Sequence, residues 1–244
     1  MKTRIKSIIK NTIVLPLILL APIPSLTSSY ELKSLHQNPP EVLTLGMVVY
    51  DEFELLDVFG PLEMFGLLRD KVNIVLIAEK LGSARSSAGP SVTINKTFEQ
   101  VGNLDILLVP GGEGSLEEIN NKALLDKIKT LSEKSTYVGT ICTGSALLAK
   151  TDLLNGKKAT SNKESFQWVT EQNRAVDWVR EARWVEDGKY FTSSGVSAGT
   201  DMSLAMIAKI YGIDTAVSFA KMAEYEWNDN PHHDIFAKKY GLID

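Results

Sequence analysis

The single cysteine of this 244-residue chain, Cys142, stands in Val138-Gly139-Thr140-Ile141-Cys142-Thr143-Gly144-Ser145, where an apolar run of strand character gives way to a helix of small residues. A thiol at such a junction lies at a helix N-terminus, whose unsatisfied N–H groups and dipole favour the nucleophilic thiolate. The other fate of a free cysteine is that of a small buried hydrophobe. A second segment, Pro110-Gly111-Gly112-Glu113-Gly114, follows another apolar run. In a parallel sheet it would lie beside the cysteine, and the N–H groups of Gly112 and Thr143 could converge on a developing negative charge. As a turn punctuated by glycine it would need no function. A third, Leu56-Asp57-Val58-Phe59-Gly60-Pro61-Leu62-Glu63, offers two carboxyl groups. Asp57 reads as a helix cap, or as an acid that reaches the thiol and exchanges a proton with substrate. Glu63, between Leu62 and Met64, is equally able to point inward.

The elements that would position these groups follow from hydrophobic patterning. Residues 43–50, 72–78, 104–109 and 135–141 are short apolar runs that read as buried strands, and residues 91–98 alternate like an exposed one. Helical character falls on residues 59–68, with Pro61 suited to open that helix, and on 116–131, 144–149, 198–211 and 216–223. Glu186-Asp187-Gly188-Lys189 is a hairpin turn. Strands alternating with helices predict a parallel sheet covered on both faces, with ligands at the carboxyl ends of the strands, where Gly112 and Cys142 both fall.

The first residues differ from the rest. Lys2, Arg4, Lys6 and Lys10 precede an apolar stretch from Ile13 to Ile23 and then Ser25, Thr27, Ser28 and Ser29, the order of a secretory signal peptide. This divides the chain into a signal peptide over residues 1–28, a linker over 29–42 and a domain over 43–244, and predicts an exported protein, periplasmic or secreted. An uncleaved membrane anchor is the alternative. The chain has 26 basic and 30 acidic residues, and four of the basic ones belong to the leader, so the domain is acidic and nucleic acid is not an expected partner. One cysteine cannot close an internal disulfide, which leaves stability to the apolar core. The histidines are His36, His232 and His233, none near Cys142 in sequence. Adjacent histidines point in different directions and no third ligand is evident, so no metal site is expected. Tyr225, Trp227 and Phe236 read as packing or dimer contacts, or as walls of a substrate pocket.

Taken together, LDVFGPLEMF, the PGGEG turn, the elbow ICTGSALLAKTDLLNGKKAT, Gly195-Val196-Ser197-Ala198-Gly199-Thr200-Asp201 and Glu224-Tyr225-Glu226-Trp227 resemble the ThiJ/PfpI (class I glutamine amidotransferase-like) superfamily, in its isonitrile hydratase-like branch. The resemblance covers residues 43–236. It implies a flavodoxin-like three-layer α/β sandwich with a mostly parallel central sheet, and a homodimer. It also implies Cys142 as nucleophile, Asp57 as acid or base, Thr143 as the residue beside the nucleophile, and Gly112 and Thr143 as oxyanion-hole positions. The implied activity is cofactor-independent addition of the thiolate to an electrophilic carbon of a small molecule such as an isonitrile, then hydrolysis to a formamide. The alternatives are glyoxalase- or deglycase-like chemistry on a dicarbonyl and a non-catalytic ligand or redox sensor. The chain departs from the pattern in one place: many relatives carry a histidine after the Ala-Thr that follows the elbow, and here Ala159-Thr160 runs into Ser161-Asn162-Lys163.

Overall fold

The computed structural model describes residues 41–244, so the leader and most of the linker lie outside the described residues. The chain runs β1 (Leu43–Val48), α1 (Leu55–Gly66), β2 (Val72–Ala78), β3 (Gly82–Arg85), β4 (Ser91–Ile94), β5 (Lys96–Thr97), β6 (Ile106–Val109), α2 (Ser115–Glu118) and α3 (Lys122–Lys134). It continues through β7 (Tyr137–Thr140), α4 (Gly144–Lys150), β8 (Lys158–Ala159), α5 (Phe166–Gln172), β9 (Asp177–Trp178), β10 (Trp184–Asp187) and β11 (Tyr190–Ser193). Three helices close it: α6 (Ala198–Tyr211), α7 (Ile213–Met222) and α8 (Ile235–Lys239).

Seven strands form one sheet in the order β10-β11-β7-β6-β1-β2-β5, parallel throughout except for the β10–β11 hairpin. Strands β1, β6 and β7 are buried almost end to end, which is why they read as continuous apolar runs. Helices α1, α6 and α7 pack with one another on one side, and α2, α3 and α5 gather around α4 on the other, giving a three-layer α/β sandwich. Among the described residues no helix is long and apolar enough to cross a membrane.

Two helices differ from the sequence reading. The predicted helix over residues 116–131 is two, α2 and α3, broken at Asn120-Asn121, where the Asn121 side chain caps α3 by accepting from the Leu124 N–H at 3.1 Å. A side-chain acceptor of this kind starts a new helix more readily than it continues an old one. The helix predicted over residues 59–68 begins four residues earlier, at Leu55, so Pro61 lies inside it. That earlier start sets which carboxyl groups face the core.

Candidate active site

Register brings the chemistry-bearing segments together. Strands β6 and β7 are neighbours with Val109 opposite Thr140, so Pro110-Gly111-Gly112 and Ile141-Cys142-Thr143 leave the sheet side by side at its carboxyl edge. Cys142 turns with φ at 56°, a left-handed conformation that is uncommon outside glycine and found at functional turns. The turn is held by its own carbonyl, which accepts from Ser145 Oγ at 3.1 Å and Ser161 Oγ at 2.9 Å. Helix α4 then starts directly against the neighbouring turn. A Cβ on Gly144 would come within 2.3 Å of the Val109 carbonyl oxygen and 2.6 Å of that of Pro110. Gly144→Ala is therefore expected to destabilise the chain by about 1–3 kcal/mol, the usual effect of overpacking against backbone, as read by urea unfolding. An unchanged midpoint would mean that the two turns separate easily.

On α1 the buried positions Asp57, Val58, Pro61, Met64 and Phe65 form one helical stripe. Leu56, Phe59 and Glu63 form the opposite, exposed one. Asp57 is therefore a core-facing residue and caps nothing, since the N-cap position is Glu54. Glu63, which could have pointed inward on sequence grounds, instead faces outward, so the carboxyl group at the sulfur is that of Asp57.

Asp57 is fully buried, and its Oδ2 accepts from the Gly111 N–H at 2.8 Å. Its Oδ1 has no hydrogen-bond partner, and the Cys142 thiol acts on the carboxyl from nearby. Burial holds the carboxyl well above the usual carboxylate range, with the charge of Glu54 adding to the effect and the Gly111 N–H and the thiol opposing it. Nearby, Tyr50 is buried and donates to the Pro110 carbonyl at 2.7 Å, which fixes the glycine turn over the site.

The thiol itself departs from the helix-terminus expectation. Cys142 is 5% exposed, and burial, then the charge of Asp57, push it up. The Thr143 N–H, the Val196 N–H and the Asn162 amide all act in the opposite direction on the sulfur, but burial outweighs them. Burial thus favours the protonated form of both groups, a thiol beside a carboxylic acid. Two of those donors were not singled out from sequence. Val196 holds φ at 40°, a strained conformation for a β-branched residue, in the turn whose N–H reaches the sulfur. Asn162 occupies the segment in which relatives carry histidine, a departure visible in the sequence although its donor role was not.

Gly112 and Thr143 are adjacent, but in a different way from the one expected. The Gly112 N–H donates to Thr143 Oγ1 at 3.1 Å, and Ser115 Oγ donates to the same hydroxyl at 2.9 Å. The main-chain donors at the sulfur are therefore those of Thr143 and Val196, with Gly112 engaged by a side chain. His233 pairs with Glu181 at 2.9 Å, and both His232 and His233 are exposed, so neither takes part. Among the described residues no cluster of His, Cys, Asp and Glu could hold a metal ion.

A cavity of about 250 Å³ opens beside this constellation, lined by Asn162, Lys163, Val196, Phe236 and Tyr240 among others. Asn162 and Val196 are the residues it shares with the donors at the sulfur. A larger open groove of about 490 Å³, bordered by Gln167, Arg174 and Trp178, includes none of these groups.

A thiol on a strained strand-to-helix turn, paired with a buried acid beneath a glycine turn, is the arrangement against which known proteins can be compared. The DJ-1/PfpI family matches residues 44–209. The chain belongs to this family. It is 32% identical to isonitrile hydratase of Pseudomonas putida over 75% of its own length and 78% of that protein. It is 28% identical to the deglycase PYRAB04690 of Pyrococcus abyssi over 59% of its own length and 84% of the relative. The crystal structure of a ThiJ/PfpI family protein from Pseudomonas syringae superposes with a TM-score of 0.71 at 30% identity, covering 78% of each chain. The DJ-1/PfpI domain thus accounts for the sheet and the elbow. Its matched span stops at residue 209, short of Phe236 and Tyr240.

Proposed function

We propose that this DJ-1/PfpI-family protein is a cofactor-independent hydratase that converts isonitriles to N-substituted formamides at Cys142. The observation that carries the reading is Asp57: a fully buried carboxyl beside the nucleophile, whose acid form burial favours. An isonitrile carbon must gain a proton and a nucleophile, and an acid next to a thiol supplies both.

The Asp57 carboxyl protonates the isonitrile carbon as the sulfur attacks it, and the thiol proton passes to the Asp57 carboxylate. The product is a thioimidate, R–N=CH–S–Cys142, and Asp57 is again an acid. Water then adds to the same carbon, the nitrogen takes a proton, and the C–S bond breaks as the sulfur recovers its hydrogen. Across the cycle one water is consumed and one R–NH–CHO released. The Thr143 and Val196 N–H groups and the Asn162 amide stabilise the sulfur whenever it carries negative charge, as attacking or leaving group. Similarity to the Pseudomonas putida enzyme supports the assignment.

The purified chain should form formamide from benzyl isonitrile, followed by chromatography, and Cys142→Ser should form none above the buffer background. Formamide formed equally by both would remove Cys142 from the reaction, and none from either would remove the reaction. Similarity to a deglycase favours thiol addition to a dicarbonyl as the second reading. Lactate formed from methylglyoxal without glutathione would move the assignment there.

A further inference from the structure

We infer that α8 supplies the substrate-selecting wall of this site, through Phe236 and Tyr240, and that the site takes uncharged small molecules bearing a flat apolar substituent such as an aryl group. The inference rests on Cys142 being the reacting group and deepens the reading above by naming the substrate class.

The cavity lining brings Asn162 and Val196, which reach the sulfur, together with Phe236 and Tyr240. The two rings are four residues apart and so share one face at the end of α8. They are 40% and 48% exposed, and apart from the Lys239 ammonium, 4.8 Å from the centre of the Phe236 ring, they leave apolar ring surface for a ligand to cover. The base of the helix is anchored. Ala237 is fully buried, the Asp234 side chain caps α8 by accepting from the Phe236 N–H at 3.0 Å, and the Asp234 N–H donates to the Glu181 carbonyl at 2.8 Å. The Asp234 carboxylate also lies 4.0 Å from Arg183. A wall fixed in this way selects by shape without a large ordering cost on binding.

Charge narrows the class further. Lys163 borders the cavity, but its ammonium is buried and donates to Thr160 Oγ1 at 2.7 Å and to the Ala182 carbonyl at 2.6 Å. It faces protein oxygen atoms and is not presented to an anionic ligand. Exposed Glu164 at the rim and the exposed Lys239 ammonium 4.8 Å from the centre of the Phe236 ring are opposite in charge, so together they favour neither an anion nor a cation. A volume near 250 Å³, below the usual range for drug-sized ligands, suits a compact molecule of about one ring. Because the matched family span ends at residue 209, this wall belongs to the chain's C-terminal segment and lies outside the matched domain.

The test measures alkylation of Cys142 in the full chain, by mass spectrometry, with iodoacetamide and with N-benzyliodoacetamide. The wild type is expected to react roughly tenfold faster with the benzyl reagent, a ratio that Phe236→Ala/Tyr240→Ala brings near one while the iodoacetamide rate moves less than about twofold. Should the double variant melt early, Phe236→Leu keeps apolar volume without the flat ring and should lower the ratio on its own. A ratio unchanged by these variants, a wild type without preference, or a thiol inert to both reagents overturns the inference. Benzyl and methyl isonitrile turnover separates the two readings: selective alkylation with no formamide keeps the wall and removes the hydratase, whereas formamide formation with an unselective thiol does the reverse.

Discussion

Asp57→Asn is expected to lower formamide formation about a thousandfold, to speed alkylation of Cys142, and to make the chain harder to unfold at neutral pH. The first effect is the loss of a positioned general acid, which contributes about 10²–10⁴ to rates. Asparagine keeps an oxygen for the Gly111 N–H and offers an amide to the sulfur, so geometry survives while the transferable proton is lost. The second effect arises where the carboxyl is ionised, since its charge is then, after burial, the largest influence pushing the thiol up. An amide carries no charge, so at the alkaline pH where the carboxyl ionises the variant should alkylate roughly tenfold faster than the wild type.

The sign of the third effect comes from proton linkage. The folded carboxyl is raised above its unfolded value near 3.8, so within that window the native chain binds more protons than the unfolded one, and stability falls as pH rises through it. Asparagine has no such loss. It should be the more stable chain at pH 7, by about 1–3 kcal/mol for removing a buried group without a full set of partners, and the difference should close toward pH 4. Urea unfolding at the two pH values reads this directly. Equal stability at pH 7, or undiminished turnover, would mean that Asp57 rests ionised and is not the acid.

Asp201→Ala should cost about 3–5 kcal/mol, the usual loss on breaking a buried ion pair. Asp201 is fully buried, and its Oδ2 accepts from Arg183 Nε at 2.7 Å and Nη2 at 2.5 Å. Its Oδ1 accepts from the Tyr225 hydroxyl and the Asn228 N–H, each at 3.0 Å. Truncation leaves Arg183 buried without its main counter-charge and removes the acceptor of Tyr225 and Asn228, while the Trp227 Nε1–H bond to the Asp201 main-chain carbonyl remains. Asp201→Asn, which keeps an acceptor, should lose less. Because Arg183 also faces Asp234 and Ser197, loosening it should disturb both the base of α8 and the turn that directs the Val196 N–H. Urea unfolding measures the loss, and a shift under about 1 kcal/mol would mean that the C-terminal segment is held by contacts other than the Asp201 carboxylate.

The two predictions concern residues of differing legibility. Asp201 was visible only as part of a motif, and its partner Arg183 carried no signal at all, because an ion pair is recognised by the burial of both ends and not by spacing along the chain. Asp57 was visible as a carboxylate of unsettled direction. Its orientation depended on where α1 begins: at about 100° per residue, moving the start from Phe59 to Leu55 decides which stripe is buried, and the local pattern around Pro61 favoured the later start.

The strands were legible because a strand buried on both faces needs an unbroken apolar run, and residues 43–48, 106–109 and 137–140 are such runs. The elbow was legible because the change from β-branched residues to small ones at Cys142 is itself a change of backbone preference. These properties arise between neighbours in the chain, so the order of residues contains them. The ionisation of Cys142 does not arise that way. A local helix N-terminus favoured the thiolate, whereas the folded chain surrounds the sulfur with β7, α1 and the turn before α6, whose combined desolvation outweighs one helix end. The aromatic boundary of the cavity likewise exists only once α8 returns to Asn162 and Val196. Contacts between remote segments set both, and no window of sequence holds all their participants.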